Sequence, residues 1–281
     1  MNRLSQHQRN YVIRAKKRLG QCFLVNLSVA KKIVQASNLS PSNTVLEIGP
    51  GLGALTIPLA RSVKRVIAIE KDEELFSWLS NKLYQEKITN VTLIHHDILK
   101  LNFEDLKEFF DHRIIVLGNL PFNISSPLVA KLLHHHKCID RAVLMFQREF
   151  AERLISQPGT KSYGAITVIL RYRARAKKLL RVSSGSFFPR PKVESMVLEL
   201  DFKHPWPRCP VDDERLKRVV KPAFLQRRKT LINALLGAPE NWEKEVILKA
   251  LRSCGIDPAR RAETLNMDEF ISLAQVLSLT Q

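Results

Sequence analysis

The residues best suited to chemistry in this chain lie in one run, Gly118-Asn119-Leu120-Pro121-Phe122-Asn123-Ile124-Ser125. Asn119 carries both an amide oxygen and an amide NH2. Pro121 has no N–H and cannot extend a central ladder, which leaves the Leu120 carbonyl before it able to accept a hydrogen bond. Phe122 supplies an aromatic face for stacking. Together these groups suit a flat ring bearing an exocyclic amine. Asn119, Leu120, Pro121 and Phe122 are therefore expected to grip the amino group of a nucleobase. A Pro-terminated strand with an ordinary core aromatic explains the same residues taken alone.

The elements around the run favour the chemical reading. Ile114-Ile115-Val116-Leu117 is a continuous apolar stretch, a buried strand that puts the run at its carboxyl end. Thr44-Val45-Leu46-Glu47-Ile48 is a second short strand and leads straight into Gly49-Pro50-Gly51-Leu52-Gly53-Ala54, with a helix expected from about 55 to 61. A strand, a glycine turn and a helix in this order open a doubly wound nucleotide-binding sheet. Gly49 and Gly51 let backbone come close to a ligand. Val66–Ile69 is the next strand and ends on Glu70, about 20 residues past the glycines, where an acceptor for a ribose diol is expected. Val91–Ile94 follows and ends near Asp97, whose carboxylate could accept from an adenine amino group. Gly49-x-Gly51-x-x-Ala54 also fits a dinucleotide pattern, so a nicotinamide dehydrogenase is a rival. Strong basicity, the lack of an obvious catalytic His or Tyr–Lys pair, and the amine-type pocket count against it. A methyl-sulfonium cofactor accounts for Glu70 and Asp97 and gives Asn119 a task.

The bulk numbers narrow the partner. At 281 residues the chain has room for one large domain and a small one. Its 45 Lys and Arg against 27 Asp and Glu give a formal net charge of +18, which implies a polyanionic partner such as nucleic acid. A membrane surface is the rival, but no apolar stretch is long enough to span a bilayer. Cys22, Cys138, Cys209 and Cys254 are far apart, without a CxxC pair or a zinc-finger spacing, so reduced thiols and a cytoplasmic location are expected and no metal site. His134-His135-His136 is read as a polar helix end. The first 19 residues carry Arg3, Arg9, Arg14, Lys16, Lys17 and Arg18 and no acid, a basic arm suited to nucleic acid; a mitochondrial presequence would share that composition.

Further on, Gly20–Leu24 leads to Asn26 or Ser28 as the cap of a helix running to about Ser37. Ala142–Phe146 is a fifth strand, followed by helical stretches at about 148–156 and 163–172. Arg171, Arg173, Arg175, Lys177, Lys178 and Arg181 then crowd together as a phosphate track. Phe187-Phe188-Pro189-Arg190-Pro191-Lys192-Val193-Glu194-Ser195 forms a rigid aromatic and basic loop, with Phe187 as a second plate for an extruded base. A last strand, Met196–Leu200, follows. Pro205, Pro207 and Pro210 mark a linker. Helices are then expected at about 213–224, 228–236, 242–254 and 267–279, with a second basic patch in Lys217, Arg218, Lys221, Arg227, Arg228 and Lys229.

Four stretches together, Gly20–Leu24, Glu47–Gly53, Asn119–Ser125 and Phe187–Ser195, resemble one family in order and spacing along nearly the whole chain. It is that of the bacterial small-subunit ribosomal RNA adenine dimethyltransferases, the KsgA family, with the Erm-type large-subunit enzymes and mitochondrial transcription factor B proteins as relatives. The resemblance implies an α/β fold: a Rossmann-like, seven-stranded class I methyltransferase domain over residues 20–204 and a small all-helical C-terminal domain over 205–281, after the arm of 1–19. It implies S-adenosylmethionine over Gly49 and Gly51, with Glu70 on the ribose, Asp97 on the adenine edge, and Cys22, Leu24 and Asn119 completing the pocket. The implied substrate is a pair of adjacent adenosines in a hairpin loop near the 3′ end of small-subunit rRNA within a pre-30S particle, each methylated twice on N6 by a monomeric enzyme. Phe122, Phe187, Arg173, Lys177, Arg227 and Arg228 are the expected RNA contacts. The chain departs from the family in having Cys22 where Asn is usual, and Phe122 where Tyr is more common. An Erm-type enzyme, and a non-catalytic RNA-binding assembly or transcription factor, stay open at this point.

Overall fold

The computed structural model describes residues 15–16, 19–207 and 209–278. Arg3, Arg9, Arg14, Lys17 and Arg18 of the expected basic arm lie outside the described residues. In chain order the strands are β1 (Phe23–Leu24), β2 (Thr44–Ile48), β3 (Arg65–Glu70), β4 (Val91–His95), β5 (Ile114–Asn119), β6 (Ile139–Gln147), β7 (Arg175–Val182), β8 (Phe187–Phe188) and β9 (Ser195–Asp201). The helices are α1 (Leu27–Ala36), α2 (Thr56–Ala60), α3 (Glu73–Gln85), α4 (Ser125–His134), α5 (Arg148–Ile155), α6 (Ala165–Arg173), α7 (Asp213–Leu225), α8 (Leu231–Leu235), α9 (Lys244–Ser253) and α10 (Met267–Ser278).

Two compact units divide these elements. One comprises the described residues up to Ala151 together with Lys177–Phe202; the other comprises Glu152–Ala176 and the described residues from Lys203 onward. The first holds a seven-stranded sheet in the order β4-β3-β2-β5-β6-β9-β7. β2 to β6 run parallel and β9 returns antiparallel to β6. The parallel strands are apolar on both faces because helices cover both: Val45, Leu46, Val66, Ile67, Val116 and Leu117 are fully buried. Polar side chains start the helices that follow. Asn26 accepts from the amides of Ser28 and Val29 at α1, and Asp72 accepts from Glu74 N at α3. β1 and β8 form a separate antiparallel pair, with Phe23 opposite Phe188 and Leu24 opposite Phe187.

The second unit is helical, with its own core of Val219, Leu235, Leu251 and Phe270. Tyr163, Val168 and Tyr172 belong to that core, so residues 152–176 pack with the C-terminal helices and the division does not fall at a single point near 204/205. Three apolar side chains on or beside α6 need burial, and the helical core supplies it. The basic run after α6 is not one surface element either. Arg171 and Arg173 end the helix, whereas Arg175 to Arg181 form β7, the edge strand of the sheet. Charged side chains on an edge strand keep it from pairing with another chain. Among the described residues no helix is long and apolar enough to cross a membrane.

Candidate active site

The site grows from the place where the sheet changes direction. β3 lies on one side of β2 and β5 on the other, and ligands bind outside the carboxyl ends of strands at such a switch point. β2 and β5 run side by side until Ile48 meets Gly118. A Cβ at Gly118 would stand 2.7 Å from the Ile48 carbonyl oxygen, so only glycine allows the two strand ends this close. The ladder with β6 ends at Asn119 and Met145. Leu120 and Pro121 therefore follow beyond the paired strand, and Phe122–Ile124 turn into α4.

Opposite them the chain leaves β2 through Gly49 (φ 67°) and Gly51 (φ 54°), left-handed conformations that side chains other than glycine rarely adopt. At the end of β3, Glu70 is 6% exposed. Its Oε2 accepts from Gly51 N at 3.1 Å and its Oε1 from Asp72 N at 2.8 Å. Burial raises its pKa, and the backbone amides partly offset that rise by stabilising the ionised form.

Cys22, Leu24, Gly49, Gly51, Glu70, Asn119 and Pro121 line one cleft of about 560 Å³ that opens to solvent. Seven expected site residues thus converge on one place. Asn119 donates from Nδ2 to the Cys22 carbonyl at 3.2 Å. Cys22 serves through its main chain, and burial pushes its thiol pKa up. Leu120 is buried and Phe122 half-buried, neither on the lining of the cleft. Asp97 also stands off that lining. Its Oδ2 pairs with Lys71 Nζ at 2.8 Å and its Oδ1 accepts from Leu99 N at 2.9 Å. Burial works against the charge, but these partners together hold the carboxyl below its usual range.

The expected RNA contacts divide. Phe187 is 4% exposed and packs in the core cluster that contains Leu24. That corrects the expectation of an open plate: in a two-residue strand adjacent side chains face opposite ways, and the exposed ring is Phe188, at 53%. Lys177 is exposed on β7. Arg173 is not a free phosphate ligand, because it pairs with Asp213 and lies over the Tyr172 ring. Arg227 spans the Lys161 and Tyr163 carbonyls and the Glu263 carboxylate, so it braces the helical unit; Arg228 beside it is exposed.

Glu47 was not singled out in the sequence, yet it lines the cleft at 1% exposure. Among the described residues its Oε2 has no hydrogen-bond partner. Burial, helped by the nearby charge of Glu70, raises its pKa to about 8. The available signal was one acid inside an otherwise apolar strand. An unpartnered buried oxygen and a second buried carboxylate, with glycine backbone and apolar Leu24 beside them, fit a ligand combining cationic groups, a ribose diol and a flat base. S-adenosylmethionine meets all three requirements.

Known proteins agree. Residues 12–279 match the ribosomal RNA adenine dimethylase family. A ribosomal RNA small subunit methyltransferase A of Desulforapulum autotrophicum is 43% identical over 263 residues, covering 94% of this chain and 92% of that protein. A dimethyladenosine transferase from Plasmodium falciparum superposes with a TM-score of 0.75 at 30% identity, over 89% of this chain and 95% of that one. The 23S rRNA methyltransferase ErmE shares the fold at a TM-score of 0.67 and 24% identity, over 91% and 99%. The chain belongs to the ribosomal RNA adenine dimethylase family, S-adenosylmethionine-dependent enzymes with a class I methyltransferase fold.

Proposed function

We propose that this chain dimethylates N6 of two adjacent adenosines in a 3′-terminal hairpin loop of small-subunit rRNA. The relative at 43% identity carries the small-subunit name, whereas the large-subunit enzyme ErmE stands at 24% and speaks for the fold alone. The observation that carries the assignment is the anchored amide of Asn119. With Nδ2 committed to the Cys22 carbonyl, Oδ1 is left to accept a hydrogen bond from an incoming amine.

Adenine N6 is a poor nucleophile because its lone pair is delocalised into the ring. Acceptance of its two N–H bonds by Asn119 Oδ1 and the Leu120 carbonyl localises that pair and fixes its direction. S-adenosylmethionine supplies a methyl group already activated on a sulfonium. Positioning then contributes most of the acceleration, and no strong general base is needed in the motif. Glu70 accepts from the ribose hydroxyls, the Gly49–Gly51 turn lets the backbone approach, and Leu24 and Leu55 exclude water. Asp97 takes the adenine edge of the cofactor with lone pairs left over from Lys71 and Leu99. Phe122 holds one face of the target base, worth about 1–3 kcal/mol per stack. Lys177 and Arg228 reach phosphates.

The chain works as a monomer on a pre-30S particle in the cytoplasm. Its four cysteines, all free, suit a reducing compartment. The test is Asn119→Ala, assayed with labelled cofactor on separated small and large ribosomal subunits. Label should enter small-subunit rRNA with the parent protein and fall about 100-fold or more with the variant, while cofactor and RNA still bind. Undiminished transfer by the variant removes the assignment, and transfer to the large subunit instead favours the Erm-type reading.

A further inference from the structure

One wall of the cleft, Gln21–Leu24, is fastened by a side chain to which none of the chemistry above gives a task. Asp72 is 4% exposed and follows the ribose-binding acid by two residues. Its Oδ1 accepts from Lys16 Nζ at 2.8 Å and its Oδ2 from Gln21 Nε2 at 3.0 Å. Lys16 N in turn donates to Gln21 Oε1 at 2.8 Å, so the segment closes on itself before it meets the acid. The main chain of Asp72 faces the other way and donates to Glu70 Oε1.

The same segment supplies the carbonyl of Cys22 that orients Asn119. It also touches the catalytic loop at Gly20, where a Cβ would stand 3.1 Å from Asn123 Oδ1 and where φ is 64°. One residue, Asp72, is thus bonded through its side chain to the wall that aims the amide and through its backbone to the acid that binds ribose.

We propose that Lys16, Gln21 and Asp72 form a latch that seats Lys16 and residues 19–24 on the cleft, making Asp72 a positioning residue for both Glu70 and Asn119. The proposal rests on the roles given above to those two residues. Asp72 also caps α3 by accepting from Glu74 N, and capping alone is the plainer explanation of its burial. The two explanations part at Lys16 and Gln21, which have no role in the cap. Glu74 pairs with Lys16 as well, at 3.3 Å, from an exposed position, so it supports the latch from outside.

Opening the latch should loosen the wall and so cost both cofactor affinity and the aim of Asn119. In the full chain, Lys16→Ala with Gln21→Ala should weaken S-adenosylhomocysteine binding about tenfold by calorimetry, the effect expected from losing charge-assisted hydrogen bonds. It should also speed amide exchange across residues 21–24 in the free protein, and lower methyl transfer at saturating cofactor. Lys16→Arg alone, which keeps the charge and Gln21, should leave all three at parent values. Asp72→Asn keeps a good helix cap and should behave like the double variant. Parent-like affinity and parent-like exchange in the double variant would overturn the latch. Glu70→Gln separates the two levels: if it too binds S-adenosylhomocysteine normally, the ribose assignment fails, whereas impaired Glu70→Gln beside a normal double variant removes the latch only.

Discussion

Asn119 and Cys22 are joined by a hydrogen bond from the Asn119 side-chain Nδ2 to the Cys22 main-chain oxygen, 3.2 Å long. The tip of β5 and the residue just before β1 are thereby held together on the lining of the cleft. The bond assigns the two ends of the amide. Nitrogen faces protein, oxygen faces the place of the amine, and an amide so fixed costs little reorganisation when the substrate arrives.

Because the bond uses the carbonyl, the identity of the side chain at Cys22 should matter little. Cys22→Ser and Cys22→Ala are expected to keep turnover and cofactor affinity within about 0.5 kcal/mol of the parent. Steady-state kinetics with a small-subunit rRNA substrate would check this. A tenfold loss in Cys22→Ala would mean that the thiol itself touches cofactor or base.

Gly118 should be far less tolerant. A methyl group there meets the Ile48 carbonyl at 2.7 Å, and backbone cannot swing aside as a side chain can. Gly118→Ala is expected to cost roughly 1–3 kcal/mol, as overpacking does, and to push Asn119 off its mark. Urea midpoints report the first effect and methyl transfer at saturating cofactor the second; a parent-like value for both would contradict the close approach of β2 and β5.

Glu47 gives stability a pH dependence. Burial raises its pKa from 4.5 to about 8, so the unfolded chain ionises it at lower pH than the folded chain does. Its contribution is fully present below about 4.5 and is lost as pH rises toward 8, at up to about 1.4 kcal/mol per pH unit. Glu47→Gln should flatten that decline. Urea denaturation of the two proteins between pH 5 and 8.5 measures it, and parallel curves would show that Glu47 is ionised in the fold.

Much of this was legible in the sequence, and for reasons that can be named. The glycine turn needs positive φ, the apolar strands need burial on both faces, and the polar side chains at their tips stand out against such runs, so Glu70 and Asn119 could be put at strand ends before any fold was known. Terminal helices expected at 213–224 and 267–279 are observed at Asp213–Leu225 and Met267–Ser278. What escaped depends on partners distant in sequence. β7 is a strand in which half the residues are cations, recognisable only once β9 offers it an edge. α6 carries an apolar face that does not say which core it joins. Phe187 and Phe188 are chemically alike, and only the register with β1 decides which is covered. Asp72 and Lys16 are 56 residues apart, and nothing local links them.

The basic residues allow a last discrimination, because the fold has already used some of them. Lys177 is exposed, whereas the Arg173 side chain is 18% exposed and paired with Asp213. If Lys177 holds a phosphate, Lys177→Gln should weaken rRNA binding at low salt and reduce the slope of log affinity against log salt by about 1, with the unfolding midpoint unchanged. Arg173→Gln should do the reverse. The slope stays, and stability falls by roughly 1–2 kcal/mol because the charge-assisted bond from Arg173 to Asp213 is lost in a half-buried site. Filter binding of the substrate hairpin over a range of salt, beside urea melts of both variants, separates the two outcomes. Equal salt slopes for the parent and Lys177→Gln would take β7 out of the RNA path.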